Sequence, residues 1–391
     1  VTLLFLIFCP IMLTLVVSLP SVQNYVVDKA TGYISETLGT RVEIGRVRLG
    51  ALGSLRFDNF YVEDYQHDTL LYAGRVKLFL TRIPDKSGLK LRNGVLSNVN
   101  LNLRETPAGV MNIKEVVDSL RKDKKSDKKP FVLQIEDVRL DDVSLVIERK
   151  AHREPSYGVD YGDMHINHIS AFVDDFYFDS GVVGGYIRNL SAVEHCGFMV
   201  QNCSGRFLVD KGLVDLKDFD IMAENSDIRL HSFVLRGEDW SSYKDFVNNV
   251  TIEGEAYKSA VSTDDIAHFA PRLLPWNLSA RDINLKVNGP VADMVVDVEN
   301  ITFGHESSLM GEVAMRGLPK VKSAGMSVEL QNLSTNAEDM NMLLGSIMGK
   351  PLPEKVQEIA GGAGDMIVAG TFTGGMQAFN SELDITTQMG N

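Results

Sequence analysis

The sequence predicts a mainly β protein: repeating antiparallel strands with bulged corners, one apolar face, an N-terminal membrane helix and a few short helices. Three observations predict it. From about Arg41 the chain alternates apolar and polar residues in run after run, the period of a strand with one apolar side. The alternation is broken again and again in the same way, as in LSNVNLNL (96–103) and LDDVSLVI (140–147), where two polar residues separate apolar ones before alternation resumes. And residues 1–19, VTLLFLIFCPIMLTLVVSL, carry no charge.

Residues 1–19 are the expected anchor, since about 20 apolar residues at about 1.5 Å each cover a bilayer core of about 30 Å. Pro10 is tolerable in such a helix, and Ser18-Leu19-Pro20 is a poor signal-peptide cleavage site. The start at Val1, without a basic flank, predicts that the flank on the near side of the membrane is missing and that the remainder lies on the far side. Residues 20–40 place Val22, Tyr25, Val26, Ala30, Tyr33, Ile34 and Leu38 at helical spacing between Pro20 and Gly39, predicting an amphipathic capping helix.

Residues 41–391 form the predicted β body, and strand pattern still running near Asn391 predicts that it is truncated there. The corner pattern is apolar–x–polar–apolar–x–apolar, with Arg46, Asn59, Asn98, Asp137, Asp142, His168, Asp175, Asn189, Asn202, Asp218, Ser232, Asn249, Asp282, Asn300 and Asn332 in third place. Asn and Asp dominate these places; they tolerate left-handed backbone best among non-glycine residues. A bulge or corner there bends the strand and returns its apolar face to the same side. Helices are expected after Asn112, from Thr263, and over 336–348 and 353–360, while 122–129 (KDKKSDKK) and 152–163 read as loops.

Charged residues make up 23% of the chain and the net charge is −13, which argues against nucleic acid as a partner. Six Asn-x-Ser/Thr triplets arise mostly from the corner repeat and need no glycan. Cys196 and Cys203 are compatible with a disulfide or with two free thiols. His165 and His168 should point to opposite faces of a strand, so no metal is expected. GGYIRN and GAGDMIVAG lack phosphate-loop spacing, no GxSxG occurs, and acidic pairs such as Asp141-Asp142 and Asp174-Asp175 are explained as corner chemistry. No cofactor and no catalytic residue is assigned.

The remaining candidate is the apolar face. Its expected lining is Phe57, Phe60, Val62, Leu96, Val99, Leu101, Leu103, Phe131, Leu133, Ile135, Val138, Leu140, Val143, Leu145, Ile147, Ile283, Leu285 and Val287. A face of this length either packs on itself or curls into an open groove for an apolar ligand, and the two give the same alternation. A self-filled assembly scaffold and a β-solenoid enzyme acting on polysaccharide are the competing functions.

The uncharged start, the segment VQNYVVDKATGYISETLGTRVEIGRVRLGALGSLRFDNFYVEDYQHDTLLYAGRVKLFL (22–80), the GxLSNVNLNL stretch, the I-x-D-V-x-L-x-D-x-x-L of 135–145 and TTQMG at 386–390 resemble the N-terminal part of TamB-like proteins, within the AsmA-like group, in the form found among Bacteroidetes. That resemblance implies a single-pass inner-membrane anchor and a taco-shaped β-groove body in the periplasm of a Gram-negative bacterium. It further implies passage of phospholipid towards the outer membrane, its acyl chains on the apolar lining. An outer-membrane barrel partner, reached through a C-terminal part outside this sequence, is implied as well.

Overall fold

The structure is a computed structural model; it describes residues 25–49 (26, 30, 33, 34 and 37 excepted), 54–81, 88–116, 132–150, 154–318, 324–375 and 378–387. The expected anchor (1–19), the 122–129 loop and Phe131 lie outside the described residues. Among the described residues no helix is long and apolar enough to cross a membrane. Among the described residues the chain is mainly β, with seventeen strands and a few short helices. It divides into two units, Val1–Met199 and Val200–Asn391.

In the first unit the strands are β1 (Val42–Leu49), β2 (Ser54–Glu63), β3 (Thr69–Leu80), β4 (Gly88–Arg104), β5 (Val132–Glu148), β6 (Asp163–Asp179) and β7 (Val182–Glu194). Each pairs with the next, antiparallel except for β4 and β5, which run parallel. The parallel pair corrects the expectation of a purely antiparallel repeat. Its cause is the connection 105–131, which begins a helix at Asn112 and is long enough for the crossover that parallel strands require. The pairing also explains the repeated phrase. LSNVNLNL and LDDVSLVI lie side by side in register, Leu96 beside Leu140, Val99 beside Val143, Leu101 beside Leu145 and Leu103 beside Ile147.

The broken period is a line across the strands. Asn59, Asn98 and Asp142 have φ of 57°, 54° and 55°. The ladders pass them without slipping: Ile44 faces Phe60 and Arg46 faces Asp58, Phe60 faces Ala73 and Asp58 faces Arg75, Ala73 faces Val99 and Arg75 faces Ser97. Thus Gly45, Asn59, Gly74, Asn98 and Asp142 form one row. A Cβ on Gly45 would stand 3.1 Å from the Asn59 Cβ, and one on Gly74 3.1 Å from the Asn98 Cβ, so glycine makes room for each left-handed Asn. Of the predicted corners, His168, Asp175, Asp218 and Asp282 are left-handed as well. Arg46, Asp137, Asn189, Asn202, Ser232, Asn300 and Asn332 are not, and Asn249 ends a helical turn, Phe246–Asn249. At Asn189, Ser232, Asn300 and Asn332 the extra residue is absorbed by a one-residue slip of the ladder beside them.

The second unit holds β8 (Met199–Asp210), β9 (Leu213–Met222), β10 (Asp227–Arg236), β11 (Thr251–Ser262), β12 (Ser279–Pro290), β13 (Asp293–Phe303), β14 (Ser307–Arg316), β15 (Gly325–Thr335), β16 (Met366–Gly374) and β17 (Phe379–Thr387), each antiparallel to the next. Helices Thr263–Ala267, Ala337–Met348 and Glu354–Ala363 sit in the β11–β12 and β15–β16 connections, close to where helical spacing placed them. Ser262 caps the first, accepting from the Asp264 amide, and Asn336 caps the second, accepting from that of Asp339.

Buried polar groups gather at one end of the strands in each unit. Asp64 accepts from the Gln66 and Asp68 amides and from Asn112 Nδ2, while Glu194 accepts from the His165 and Cys196 amides. Asp265 holds the Asn225 amide, and Asp339 holds His305, Glu306 and Ser307. A carboxylate from one connection thereby satisfies turn amides, several of them on a neighbouring connection. The N-x-x-D spacing of Asn336 and Asp339 is a capping signature readable from the sequence, whereas the reach of Asp265 to Asn225 is not.

Candidate functional site

The described residues of the expected lining fall on one side of the sheets, in rows that run across the strands, because ladder partners share a face. One row in the first unit is Val42, Val62, Leu71, Leu101, Leu145 and Ile166; the next is Ile44, Phe60, Ala73, Val99, Val143 and Ile169. Beyond the break come Val47, Phe57, Val76, Leu96, Leu140 and Ala171, then Leu55, Leu78, Gly94, Val138, Val173 and Ile187. Leu103 and Ile147 continue to Met164, Ile135 joins Leu91 and Phe176, and Leu133 joins Phe178. In the second unit Val287 belongs to the row Phe207, Leu216, Phe233, Gly254, Val287, Val296, Val313, Val328 and Phe372. Leu285 belongs to Phe219, Leu230, Ala256, Leu285, Val298, Gly311, Leu330, Gly370 and Leu383, while Ile283 faces Ser259.

The rows are apolar but only partly covered. Val62, Val99, Ile135, Val138 and Ile283 are buried; the other described members of the expected lining are half-buried. In the first unit two helices cover the end of the strands that holds the β2–β3 turn. There Leu38 of the helix within 25–38 and Val116 of the helix from Asn112 pack with Val42, Val62 and Leu70, joined by Phe60, Leu71, Leu103 and Ile113. The sequence reading omitted the whole β3 contribution, although AGRVKL (73–78) fits the corner pattern with Ala in first place.

The opposite side is polar and ion-paired. Asp58 lies 2.8 Å from Arg56, 3.5 Å from Arg48 and 4.0 Å from Arg75. Arg139 holds Asp141 at 2.7 Å, and Arg188 spans Asp174 at 2.9 Å and Asp137 at 3.6 Å. Both Arg139 and Arg188 stack on Phe172. Burial raises the Asp174 carboxyl above the usual range, opposed by Arg188 and assisted by the facing Asp137. Asn102 donates to the Thr69 carbonyl at 3.0 Å, away from the apolar rows.

Cys196 and Cys203 are not joined in a disulfide. Burial pushes each thiol up to about 11, so neither is a thiolate near neutral pH. His165 and His168 bind separate carboxylates, Asp163 at 2.8 Å and Asp142 at 3.0 Å. Among the described residues no group of three His, Cys, Asp or Glu could hold a metal ion. No family model, no curated protein and no solved structure matches the chain.

Proposed function

We propose that this chain is an envelope protein, anchored in the inner membrane by residues 1–19, whose apolar face forms a trough that conducts phospholipid acyl chains. The observation that carries the reading is the set of apolar rows: they pass from strand to strand without a charged residue while most of their side chains stay half-exposed. The resemblance of 22–80 and 135–145 to TamB-like proteins supports the same reading, with a periplasmic body and an outer-membrane barrel partner.

The physics suits such a role. Each methylene leaving water is worth about 0.8 kcal/mol, so two acyl chains of about 16 carbons oppose aqueous transfer by on the order of 25 kcal/mol. A barrier of that size allows roughly one escape in several days. A continuous apolar surface removes most of it without bond-making chemistry, and because such binding is non-directional no single side chain dominates.

Photocrosslinking from Leu96, Leu140 and Leu145 in cells, with Asn100 and Ser144 as outward controls and lipid analysis of the adducts, tests the proposal. Phospholipid adducts at the three leucines alone are expected. A folded protein without adducts at either set would sink the trough and leave the scaffold reading, which the cover over Val42, Val62 and Leu70 favours locally.

A further inference from the structure

The outward face of β1–β3 has a charge balance opposite to that of the chain. Beyond the Gly45–Asn59–Gly74 row, one outward row is Arg46, Asp58 and Arg75 and the next is Arg48, Arg56 and Lys77, all directly facing partners. Five cations therefore surround one carboxylate in a chain of net charge −13. Asp58 is shared among three guanidiniums, and Arg48, Arg56 and Lys77 form a line of like charges, an arrangement that weakens strand pairing. Edge protection does not account for Arg56 on β2 or Lys77 on β3, which have neighbours on both sides. The Phe79 ring lies on the same face with the Lys77 ammonium 4.8 Å from its centroid, so the patch joins cations to an aromatic ring.

We infer that this face docks on the surface of an anionic phospholipid bilayer, its Arg and Lys side chains meeting lipid phosphates and Phe79 entering the headgroup layer. A sheet face presents its charges as a flat array, as a bilayer does, and basic residues near an anionic membrane are attracted additively. An uncharged stretch at 1–19 puts a membrane within reach. Nucleic acid shares the phosphate chemistry but does not account for an aromatic ring beside an uncharged membrane-length stretch, and the test below separates the two. The inference does not depend on what the apolar face carries.

The test is lysine acetylation footprinting of the full chain reconstituted in phosphatidylcholine vesicles with or without one-quarter phosphatidylglycerol, at low and high salt. Lys77 should react at least threefold more slowly with phosphatidylglycerol at low salt, recover at high salt, and Lys217 should not change. R48E/R56E, folded by circular dichroism, should lose that protection; R48Q/R56Q is read instead if the reversal unfolds. Equal reactivity of Lys77 in both vesicles overturns the inference, as does protection by a single-stranded RNA oligonucleotide that matches or exceeds that by phosphatidylglycerol. Acyl-chain crosslinking is a separate readout, so failure here is distinguishable from failure of the trough.

Discussion

Strands β1 to β5 and strands β10 to β16 both return their apolar face to the same side after each break, but by different means. In the first, β1 to β5 break at one level, and Gly45, Asn59, Gly74, Asn98 and Asp142 stand side by side while the ladder stays in step. In the second, the ladders from β10–β11 to β15–β16 each slip by one residue at one or two places, so every such pair absorbs its extra residue separately. The shared break places its strain in a few left-handed Asn and Asp residues, which tolerate it. The slipped ladders use left-handed residues as well, Lys258 and Asp282 among them, and add glycine at crowded backbone: Gly370, where the β15–β16 ladder slips, has φ 141°, and a Cβ there would collide with the Glu382 carbonyl oxygen on β17. A register slip also needs something outside the ladder to fix where it stops.

Breaking the second kind of corner should cost most. Gly370→Val combines a disfavoured φ with a collision against backbone that cannot turn away, and we expect a loss of about 4 kcal/mol, read as the urea midpoint. A shift worth less than 1 kcal/mol would show that the backbone at this crowded position is soft. Next comes the pin. Asp339 is fully buried; it accepts from the Ser307 hydroxyl at 2.7 Å and the His305 amide at 3.0 Å, fixing β14 just past the slip between β13 and β14. Asp339→Ala should cost about 3 kcal/mol, because hydrogen bonds to a buried charge are lost and their donors are left unpaired.

The same carboxylate predicts a pH dependence with a definite sign. Burial would raise its pKa, but hydrogen bonds from Ser307, His305 and Glu306 outweigh burial and hold it well below the usual carboxylate range. A depressed folded pKa gives stabilisation that is complete above the unfolded value of about 3.9 and is lost as pH falls below it. Wild type should therefore lose stability more steeply than Asp339→Asn below about pH 4, and parallel curves would remove Asp339 from the pin. Glu194, lowered by its bonds to Cys196, His165 and His195 against the effect of burial, adds to the acid-side loss with the same sign.

Much of this was legible in residue order. Alternation located the strands and chose the side of Leu96, Leu140 and Val287, because a period of two leaves little freedom once a corner residue is recognised. The side of β1 and β3 was harder to read: on these strands the break is at Gly45 and Gly74, and an antiparallel partner shifts the pattern by one place. The parallel pairing of β4 with β5 could not be read, since similarly patterned phrases 44 residues apart fit either direction. Nor could the partner of Asp265, which reaches Asn225 across 40 residues with no local pattern to record it. Asn249 misled because Asn serves helix ends and corners by the same local bonding.

The smallest effects discriminate best between the two kinds of corner. Asn98→Val puts a β-branched residue at φ 54° and should cost about 2 kcal/mol, whereas Asn98→Gly removes the strain and should stay within about 0.5 kcal/mol. Gly74→Ala alone should cost about 1 kcal/mol, since its Cβ would stand 3.1 Å from the Asn98 Cβ. In an Asn98→Gly background that neighbour is gone, so the cost of Gly74→Ala should fall close to zero. The coupling in this double-mutant cycle is then about 1 kcal/mol, well above the 0.3–0.5 kcal/mol, roughly, within which independent sites add. Additive single effects would mean that Gly74 and Asn98 are separate accidents of two strands. A shared break requires them to be coupled, because the left-handed Asn on β4 fits only where β3 has left it space.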